Sequence, residues 1–266
     1  MTESTADLAA VAAEAVRASG DYLRAAFRDG PVDGDYDSLD VKAVADREAQ
    51  TRVRPIVEAH YPDHAFDGEE SDSTGTSCDY HWVVDPLDGT NNFASGLPKF
   101  ASAVAVLYQG EPVAAAIYEP LVDDLYLAER AGGATLNGEP LSSTDGSSLP
   151  LDHGTVALVI GLGAVTDPEL AQQAEVLEGA LRDHCKRIVT TWAPCVDWGL
   201  LARGSIEGLV AFHPERYEQH AGSLLAAESG VEAVDTVRKN GRYVGAPDAE
   251  TTARLAEISE ETLSRY

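Results

Sequence analysis

Two aspartates stand three residues apart in a segment that can bind a cation. Asp85 ends the apolar run 82–84, Pro86 fixes a turn after it, and Gly89 permits a left-handed backbone angle or a close approach. Across this turn Asp85 and Asp88 can converge on one point. Convergent carboxylates repel one another unless a cation compensates them. Oxygen ligands with no histidine or cysteine nearby favour Mg²⁺ over Zn²⁺.

A second acidic pair, Glu69 and Glu70, also follows a short predicted strand. For the DPxDG pattern alone, an explanation without metal is about as well supported. Carboxylates that cap turns and face solvent are common in an acidic chain, and short motifs produce false positives.

A longer string separates these explanations. Residues 85–93 read Asp-Pro-Leu-Asp-Gly-Thr-Asn-Asn-Phe, and Gly-Glu-Glu-Ser precedes them at 68–71. Together they resemble the first motif of the inositol monophosphatase family of metal-dependent sugar phosphatases, which includes archaeal enzymes acting on inositol phosphate and fructose 1,6-bisphosphate. The resemblance extends from the first predicted helix to about residue 245. It implies an α/β (α+β) layered αβαβα sandwich, two or three Mg²⁺ ions and a homodimer.

The resemblance also implies a set of metal ligands. Glu69, Asp85 and the backbone carbonyl of Leu87 are expected to bind a first Mg²⁺. Asp85 is expected to bridge to a second Mg²⁺, which Asp88 also binds.

Four residues are implied to act on the substrate or on the attacking water. Thr90 and Glu69 are expected to orient the water, and Asp46 stands where the family has an acidic residue behind the metal ligands. The alternative for Asp46 is an exposed aspartate at a helix start. The N–H groups of Gly89 and Thr90 are expected to bind the phosphate, because helix N-termini favour anions.

The last implied ligand lies at 217–222, where Tyr-Glu-Gln-His-Ala-Gly is similar to the family's Trp-Asp-x-Ala-Ala-Gly motif. Glu218 replaces the usual aspartate and is expected to bind the second Mg²⁺ and the substrate. Alternatively, Glu218 is only a favourable acid in the first turn of a helix.

Two further departures bear on substrate choice. Ala211 stands where the family has a carboxylate that holds inositol hydroxyls, and the family's run of small residues reads Trp-Ala-Pro-Cys at 192–195. Trp192 is expected to reshape the wall facing the sugar, or else to lie in the core.

Hydrophobic periodicity predicts the elements that position these residues. Helices are expected over 6–28 and 44–60, and short strands over 66–69 and 82–85, with a polar loop at 71–80. An antiparallel meander is expected from runs at 101–107, 111–118 and 124–128, and a hairpin turn at Asn137-Gly138. Alternating units follow, with strands over 155–160, 186–191, 208–212 and 231–234, and helices over 168–184, 195–204, 217–229 and from Pro247. We predict a single catalytic domain over 1–266, with halves of about 1–145 and 146–266 joined at 142–149.

The charge balance narrows the class of partners. Acidic residues number 45 against 19 basic ones, which gives a net charge of −26 and disfavours nucleic acid as a partner. No run approaches the ~18 apolar residues of a membrane span, and the acidic start of the chain is unlike a signal peptide. A cytoplasmic protein is expected. Only four of the basic residues are lysines, which together with the acidic excess resembles proteins of salt-loving archaea; an ordinary acidic enzyme is the alternative.

We therefore predict a Mg²⁺-dependent hydrolase of inositol monophosphate or related sugar phosphates, in which water attacks the phosphorus directly. The alternatives are a fructose-1,6-bisphosphatase, a phosphatase for 3′-phosphoadenosine 5′-phosphate, and a non-catalytic protein that keeps the fold. The cysteines Cys78, Cys185 and Cys195 form no pattern of metal ligands in sequence.

Overall fold

The computed structural model describes residues 3–30, 34–36, 41–69, 78–146 and 149–265. Glu70, Ser71 and most of the expected polar loop at 71–80, together with 147–148 of the expected joining segment, lie outside the described residues. The described helices, in chain order, are α1 (Thr5–Asp29), α2 (Val44–His60), α3 (Thr90–Ala94), α4 (Leu162–Thr166), α5 (Pro168–Arg182), α6 (Pro194–Ala202), α7 (Arg216–Glu228), α8 (Val237–Asn240) and α9 (Ala249–Leu263).

The described strands are β1 (Gly34–Tyr36), β2 (Val41–Ala43), β3 (Ala65–Gly68), β4 (Tyr80–Asp88), β5 (Ala101–Tyr108), β6 (Glu111–Glu119), β7 (Asp124–Glu129), β8 (Gly133–Leu136), β9 (Glu139–Leu141), β10 (Thr155–Ile160), β11 (Arg187–Val189), β12 (Gly208–Phe212), β13 (Glu232–Thr236) and β14 (Arg242–Ala246). Short 3₁₀ turns lie at Ser143–Asp145 and Leu151–His153. The predicted α/β class is confirmed. The prediction of one catalytic domain stays a prediction.

The chain forms two compact units. Unit 1 comprises Met1–Pro140, Trp192–Val196 and Tyr217–Glu228, and unit 2 comprises Leu141–Thr191, Asp197–Arg216 and Ser229–Tyr266. Each unit is therefore assembled from segments that are far apart in sequence.

Unit 1 is built on a seven-stranded sheet in the order β3-β4-β5-β6-β7-β8-β9. β3 and β4 are parallel, whereas β4 to β8 pair antiparallel, and β5 to β7 form the predicted meander. The apolar stripe of α1 belongs to the core that also contains Trp82, Val104 and Tyr118 of the sheet. Each large apolar side chain buried there stabilises the fold by about 1.5–3 kcal/mol.

The ends of α1 follow the sequence signals. Ser4 accepts a hydrogen bond from the N–H of Asp7 at 3.4 Å, which caps the first turn. Gly30 at φ 113° ends the helix, because other residues rarely adopt that backbone angle.

An aromatic stack lies at the edge of the unit 1 core. The ring of His64 is stacked between Tyr61 and Tyr80, with both centroid distances 4.6 Å. Nε1 of Trp82 donates to Nδ1 of His64 at 3.0 Å, so His64 is held neutral as an acceptor. Burial lowers the pKa of His64, against the opposing effects of Glu3 and Asp63.

Unit 2 contains a five-stranded mixed sheet in the order β11-β10-β12-β14-β13. β10 pairs parallel with β11 and β12, and β14 pairs antiparallel with β12 and β13. Leucines of α5 and α9, including Leu177 and Leu255, share a core with Val156, Val210 and Phe212 of the sheet. The alternating strands and helices expected after residue 150 are present.

Several elements of unit 2 differ from expectation. The short helices α4 and α8 were not predicted. Strand β14 was not predicted, because its Arg-Tyr-Val-Gly-Ala sequence carries a glycine and lacks a clear alternation. The last helix begins at Ala249, not at Pro247. Asp248 caps it by accepting from the N–H of Thr251 at 2.8 Å, and this cap fixes the start of the helix two residues after the proline.

Candidate active site

A β-bulge in β4 brings Asp85 and Asp88 to one point. Asp85 lies opposite Ala103 of β5, and Asp88 lies opposite Ala101, so one extra residue is accommodated in β4. In a regular strand, residues three apart point to opposite faces. The bulge cancels that alternation, and both carboxylates are buried. The N–H of Leu87 donates to Oδ1 of Asp85 at 3.1 Å, which orients that carboxylate.

The predicted acidic residues form one electrostatic cluster in unit 1. The pKa of Asp85 lies well above its ordinary value because of burial and then because of the negative charges of Glu69, Asp88, Asp46 and Glu218. Glu69 is exposed, whereas the other four are buried. Carboxylates gathered in this way need a compensating cation. Their oxygen donors suit a hard divalent ion, so the residues present fit the metal that the resemblance implies.

Thr90 and Asp46 are in direct contact. Oγ1 of Thr90 lies 2.9 Å from the carbonyl oxygen of Leu87 and 3.3 Å from Oδ2 of Asp46. Both neighbours are acceptors, so the hydroxyl proton is directed towards them and the oxygen keeps lone pairs for a further donor. Asp46 is only 3% exposed. The alternative of an exposed aspartate at a helix start is therefore wrong.

Gly89 precedes α3 in a conformation that only glycine adopts readily. Its φ is 85°, and a Cβ atom there would lie 2.9 Å from Cβ of Ala193 and 2.9 Å from the carbonyl oxygen of Lys99. Because glycine has no Cβ atom, Ala193 and the backbone of Lys99 can approach Gly89 closely. Behind it, Phe93 of α3 packs edge-on against Phe100 at 4.9 Å.

Cys195 is a site residue that the sequence did not reveal. Its N–H donates to Oδ2 of Asp88 at 3.0 Å, although the two residues are 107 positions apart. Its Sγ atom and one carboxylate oxygen each of Asp85 and Asp88 all lie within 4.8 Å of one another. Burial, followed by the charges of Asp88 and Asp85, raises the pKa of the Cys195 thiol well above its ordinary range.

The sequence around Asp85 and Asp88 contains no cysteine, but the fold brings Cys195 next to both. Cys195 replaces a small residue of the run matched at 192–195. That replacement was the only signal for it, because the three cysteines have no ligand spacing.

Glu218 lies near the start of α7 and is 7% exposed. The negative charge of Glu218 raises the pKa of both Asp85 and Cys195. Glu218 therefore belongs to the acidic cluster and is not only an acid at the helix start.

Trp192 is 48% exposed and has a φ of 58°; the alternative that it belongs to the core is wrong. Ala211 is fully buried in β12, paired with Tyr243.

The comparisons with known proteins decide the family. The model of the Inositol monophosphatase family matches residues 4–264. The chain belongs to the inositol monophosphatase family. Among its relatives in this family, the fructose-1,6-bisphosphatase/inositol-1-monophosphatase of Aquifex aeolicus is 28% identical over 191 residues, covering 72% of this chain and 70% of the relative. Nus factor SuhB of Escherichia coli is 31% identical over 194 residues, covering 73% and 71%.

A solved inositol monophosphatase shares the fold. The enzyme from Anabaena superimposes with a TM-score of 0.81 at 22% identity, covering 98% of both chains. This likeness is consistent with the layered sandwich that the resemblance implied. Inositol monophosphatase family members bind sugar phosphates and are generally metal-dependent, and membership supports a phosphatase. Among the described residues, no helix is both long and apolar enough to cross a membrane.

Proposed function

We propose that this protein is a Mg²⁺-dependent hydrolase of phosphate monoesters, acting on inositol monophosphate or related sugar phosphates. The observation that carries the proposal is the cluster of five carboxylates around Asp85, with the Thr90–Asp46 contact beside it. A buried cluster of this kind opposes folding unless a cation binds to it. This unfavourable contribution to the free energy of folding is consistent with a functional site.

The ligands that we propose are Glu69, Asp85, the carbonyl of Leu87, Asp88 and Glu218. Bound Mg²⁺ supplies a water of lowered pKa and charge compensation for the leaving oxygen. Two or three ions are expected from the resemblance, and the donor set supports more than one.

Thr90 is proposed to hold the attacking water as an acceptor. Asp46 directs the Thr90 hydroxyl, so that the lone pairs of that oxygen are available to the water. The exposed carboxylate of Glu69 lies close enough to Asp85 to raise its pKa, and it is proposed to take the water proton. The N–H groups of Gly89 and Thr90 are proposed to bind the phosphate.

Substrate range is proposed to be broad. By the resemblance, the family's carboxylate that holds inositol hydroxyls is replaced by alanine at position 211, and exposed Trp192 replaces a small residue. A site without a hydrogen-bonding anchor discriminates weakly between stereoisomers, because discrimination depends on polar groups left unpaired by the wrong substrate. The double name of the Aquifex relative, which covers two sugar phosphates, supports the same proposal.

The test is phosphate release in Mg²⁺ and in chelator. The panel contains inositol 1-phosphate, fructose 1,6-bisphosphate, glucose 1-phosphate, glycerol 2-phosphate and 3′-phosphoadenosine 5′-phosphate. We expect Mg²⁺-dependent turnover of several sugar phosphates at comparable kcat/KM. Asp88→Asn should abolish it, and Asp152→Asn, at an exposed aspartate, should not.

Other outcomes select the alternatives. A hundredfold preference for inositol 1-phosphate, about 2.7 kcal/mol at 1.36 kcal/mol per decade, would show that another residue recognises its hydroxyls. A preference for the nucleotide would select the nucleotide phosphatase. No release from any ester would favour a non-catalytic role, for which the relatives named Nus factor SuhB are the precedent to test.

We also propose a cytoplasmic homodimer that does not bind nucleic acid. The net charge of −26 opposes contact with a phosphate backbone. Light scattering tests the dimer, and an RNA mobility-shift assay at low salt tests the absence of nucleic-acid binding.

A further inference from the structure

A thiol sulfur shares the space between the two aspartates of the bulge. Sγ of Cys195 and carboxylate oxygens of Asp85 and Asp88 lie within 4.8 Å of one another, and all three residues are buried. In proteins, zinc–sulfur distances are about 2.3 Å and zinc–oxygen distances about 2.0–2.2 Å, so that sulfur and oxygen ligands of one ion lie at most about 4.5 Å apart. The three donor atoms lie within 4.8 Å of one another, close to this upper limit, so a modest side-chain adjustment can bring them to one ion.

The backbone holds the sulfur in this position. The N–H of Cys195 is bonded to Oδ2 of Asp88 at 3.0 Å, and α6 begins at the preceding residue, Pro194. Ala193, two residues before Cys195, lies so close to Gly89 that a Cβ atom on Gly89 would be 2.9 Å from the Cβ of Ala193. These contacts fix the backbone of Cys195, so rotation about its Cα–Cβ bond is the main freedom left to the thiol.

Sulfur changes which cations such a site prefers. Mg²⁺ demands oxygen ligands in near-octahedral geometry and gains little from a thiol. Thiolate ligands instead favour softer ions, including zinc. Binding of such an ion to Cys195 would release the thiol proton to solvent, because a metal-bound cysteine is deprotonated.

We propose that Sγ of Cys195 is a third side-chain ligand in the Asp85–Asp88 site, and that this site binds thiophilic divalent cations more tightly than its oxygen ligands alone would allow. The proposal deepens the metal dependence proposed above and rests on it for the role of the two aspartates. It does not rest on turnover. The chemical class of ligand is a divalent ion of the zinc group, with Cd²⁺ as the probe.

The experiment titrates Cd²⁺ and, separately, Mg²⁺ into chelator-treated protein, using calorimetry and ultraviolet absorption. Wild-type protein should show a sulfur-to-cadmium charge-transfer band that saturates with the tight calorimetric site. Cys195→Ser should lose the band and weaken Cd²⁺ binding by about 10–100-fold, as is typical when a supporting residue of a metal site is removed. Its Mg²⁺ affinity should change much less.

The other two cysteines supply matched controls. Cys185 is a buried thiol whose Sγ donates to the carbonyl of Leu181, and Cys78 is half-buried. Cys78→Ser/Cys185→Ser keeps Cys195 as its one thiol and should retain both the band and the tight site. Cys195→Ala repeats the test, and thermal unfolding checks that each variant is folded.

Three results would overturn the proposal: no charge-transfer band in the wild type, a band that persists in Cys195→Ser, or equal Cd²⁺ affinities in the two proteins. Failure of the proposed function is distinguishable from these. If Mg²⁺ supports no phosphate release but the cadmium band depends on Cys195, the sulfur ligand stands and the hydrolase does not. If phosphate release is Mg²⁺-dependent and the band is absent, only the sulfur ligand fails.

Discussion

The hydroxyl of Thr90 lies 3.3 Å from Oδ2 of Asp46, 44 positions away in sequence. The contact joins the first turn of α2 to the first residue of α3. Asp46 is buried beside it. A buried carboxylate that directs the hydroxyl of a neighbour acts through that neighbour, so Asp46 is proposed as a positioning residue.

Thr90→Ala should lower kcat by about 10²-fold, because the attacking water is no longer held in place, with a smaller change in KM. Asp46→Asn should lower kcat less. Because both act through one water, the double variant should be scarcely worse than Thr90→Ala alone. Steady-state kinetics check this cycle, and Thr90→Ser should restore most of the rate. A change confined to KM would place Thr90 in substrate binding, and additive losses would separate the two residues.

Asp85→Asn should abolish phosphatase activity and stabilise the metal-free protein. The amide cannot ionise and so avoids the repulsion from four other carboxylates that raises the pKa of Asp85. The free energy of unfolding in chelator should therefore rise, and it should rise most at high pH, where wild-type Asp85 is charged. In saturating Mg²⁺ the gain in stability of Asp85→Asn over the wild type should shrink or reverse. Chemical denaturation with and without Mg²⁺ measures both effects. Wild-type turnover by Asp85→Asn at saturating Mg²⁺ is the result that contradicts the metal assignment.

Glu218 is expected to be a working ligand with one methylene more than the usual aspartate. Glu218→Asp should remain active. Glu218→Ala should need much more Mg²⁺ for half-maximal rate, whereas its kcat at saturation should fall less. Identical Mg²⁺ titrations for wild type and Glu218→Ala would show that Glu218 is not a metal ligand and interacts only with the helix start.

Acid should destabilise the protein partly through His64. Its pKa is lowered in the fold, whereas the unfolded chain takes up the proton at about pH 6.5. The contribution of neutral His64 is therefore complete above about pH 6.5 and is lost as the pH falls towards the lower folded pKa. His64→Phe should flatten the dependence of the melting temperature on pH in this range. His153→Phe is the matched control, because it removes an exposed histidine outside the stack. Equal slopes for wild type and His64→Phe would contradict the assignment.

Salt should stabilise the protein. At a net charge of −26 the acidic surface repels itself, and the screening length falls from about 10 Å at 0.1 M salt to about 3 Å at 1 M. The free energy of unfolding should rise steadily with KCl, and sucrose at equal osmolality separates screening from solvent exclusion. Equal stability at low and multimolar KCl would favour an ordinary acidic enzyme.

Much of the fold could be predicted because its signals are local. Helix α2 and strand β12 have the predicted bounds, since α2 repeats apolar residues at helical spacing and β12 is a continuous apolar run. Strand β14 could not be predicted, because its place depends on pairing with β12 and β13. Such long-range pairing leaves no period in a short segment that contains glycine.

The candidate site divides in the same way. Asp85 and Asp88 could be predicted because both belong to one turn formed by consecutive residues. Cys195 was missed because nothing in its own neighbourhood indicates a ligand. Its position comes from a hydrogen bond to Asp88, which only the folded chain reveals.

The order in which the chain is synthesised has a consequence for this site. Unit 1 takes Trp192–Val196 and Tyr217–Glu228 from the later part of the chain. At about 5–20 residues per second, the 88 residues that separate Pro140 from Glu228 leave the ribosome over roughly 4–18 s. The nascent protein carries Asp85 and Asp88 without Cys195 until the 55th of these residues is added, and without Glu218 until the 78th. A cation captured before Glu218 is synthesised therefore meets an incomplete set of ligands, and the cation selectivity of the site is complete only after that point.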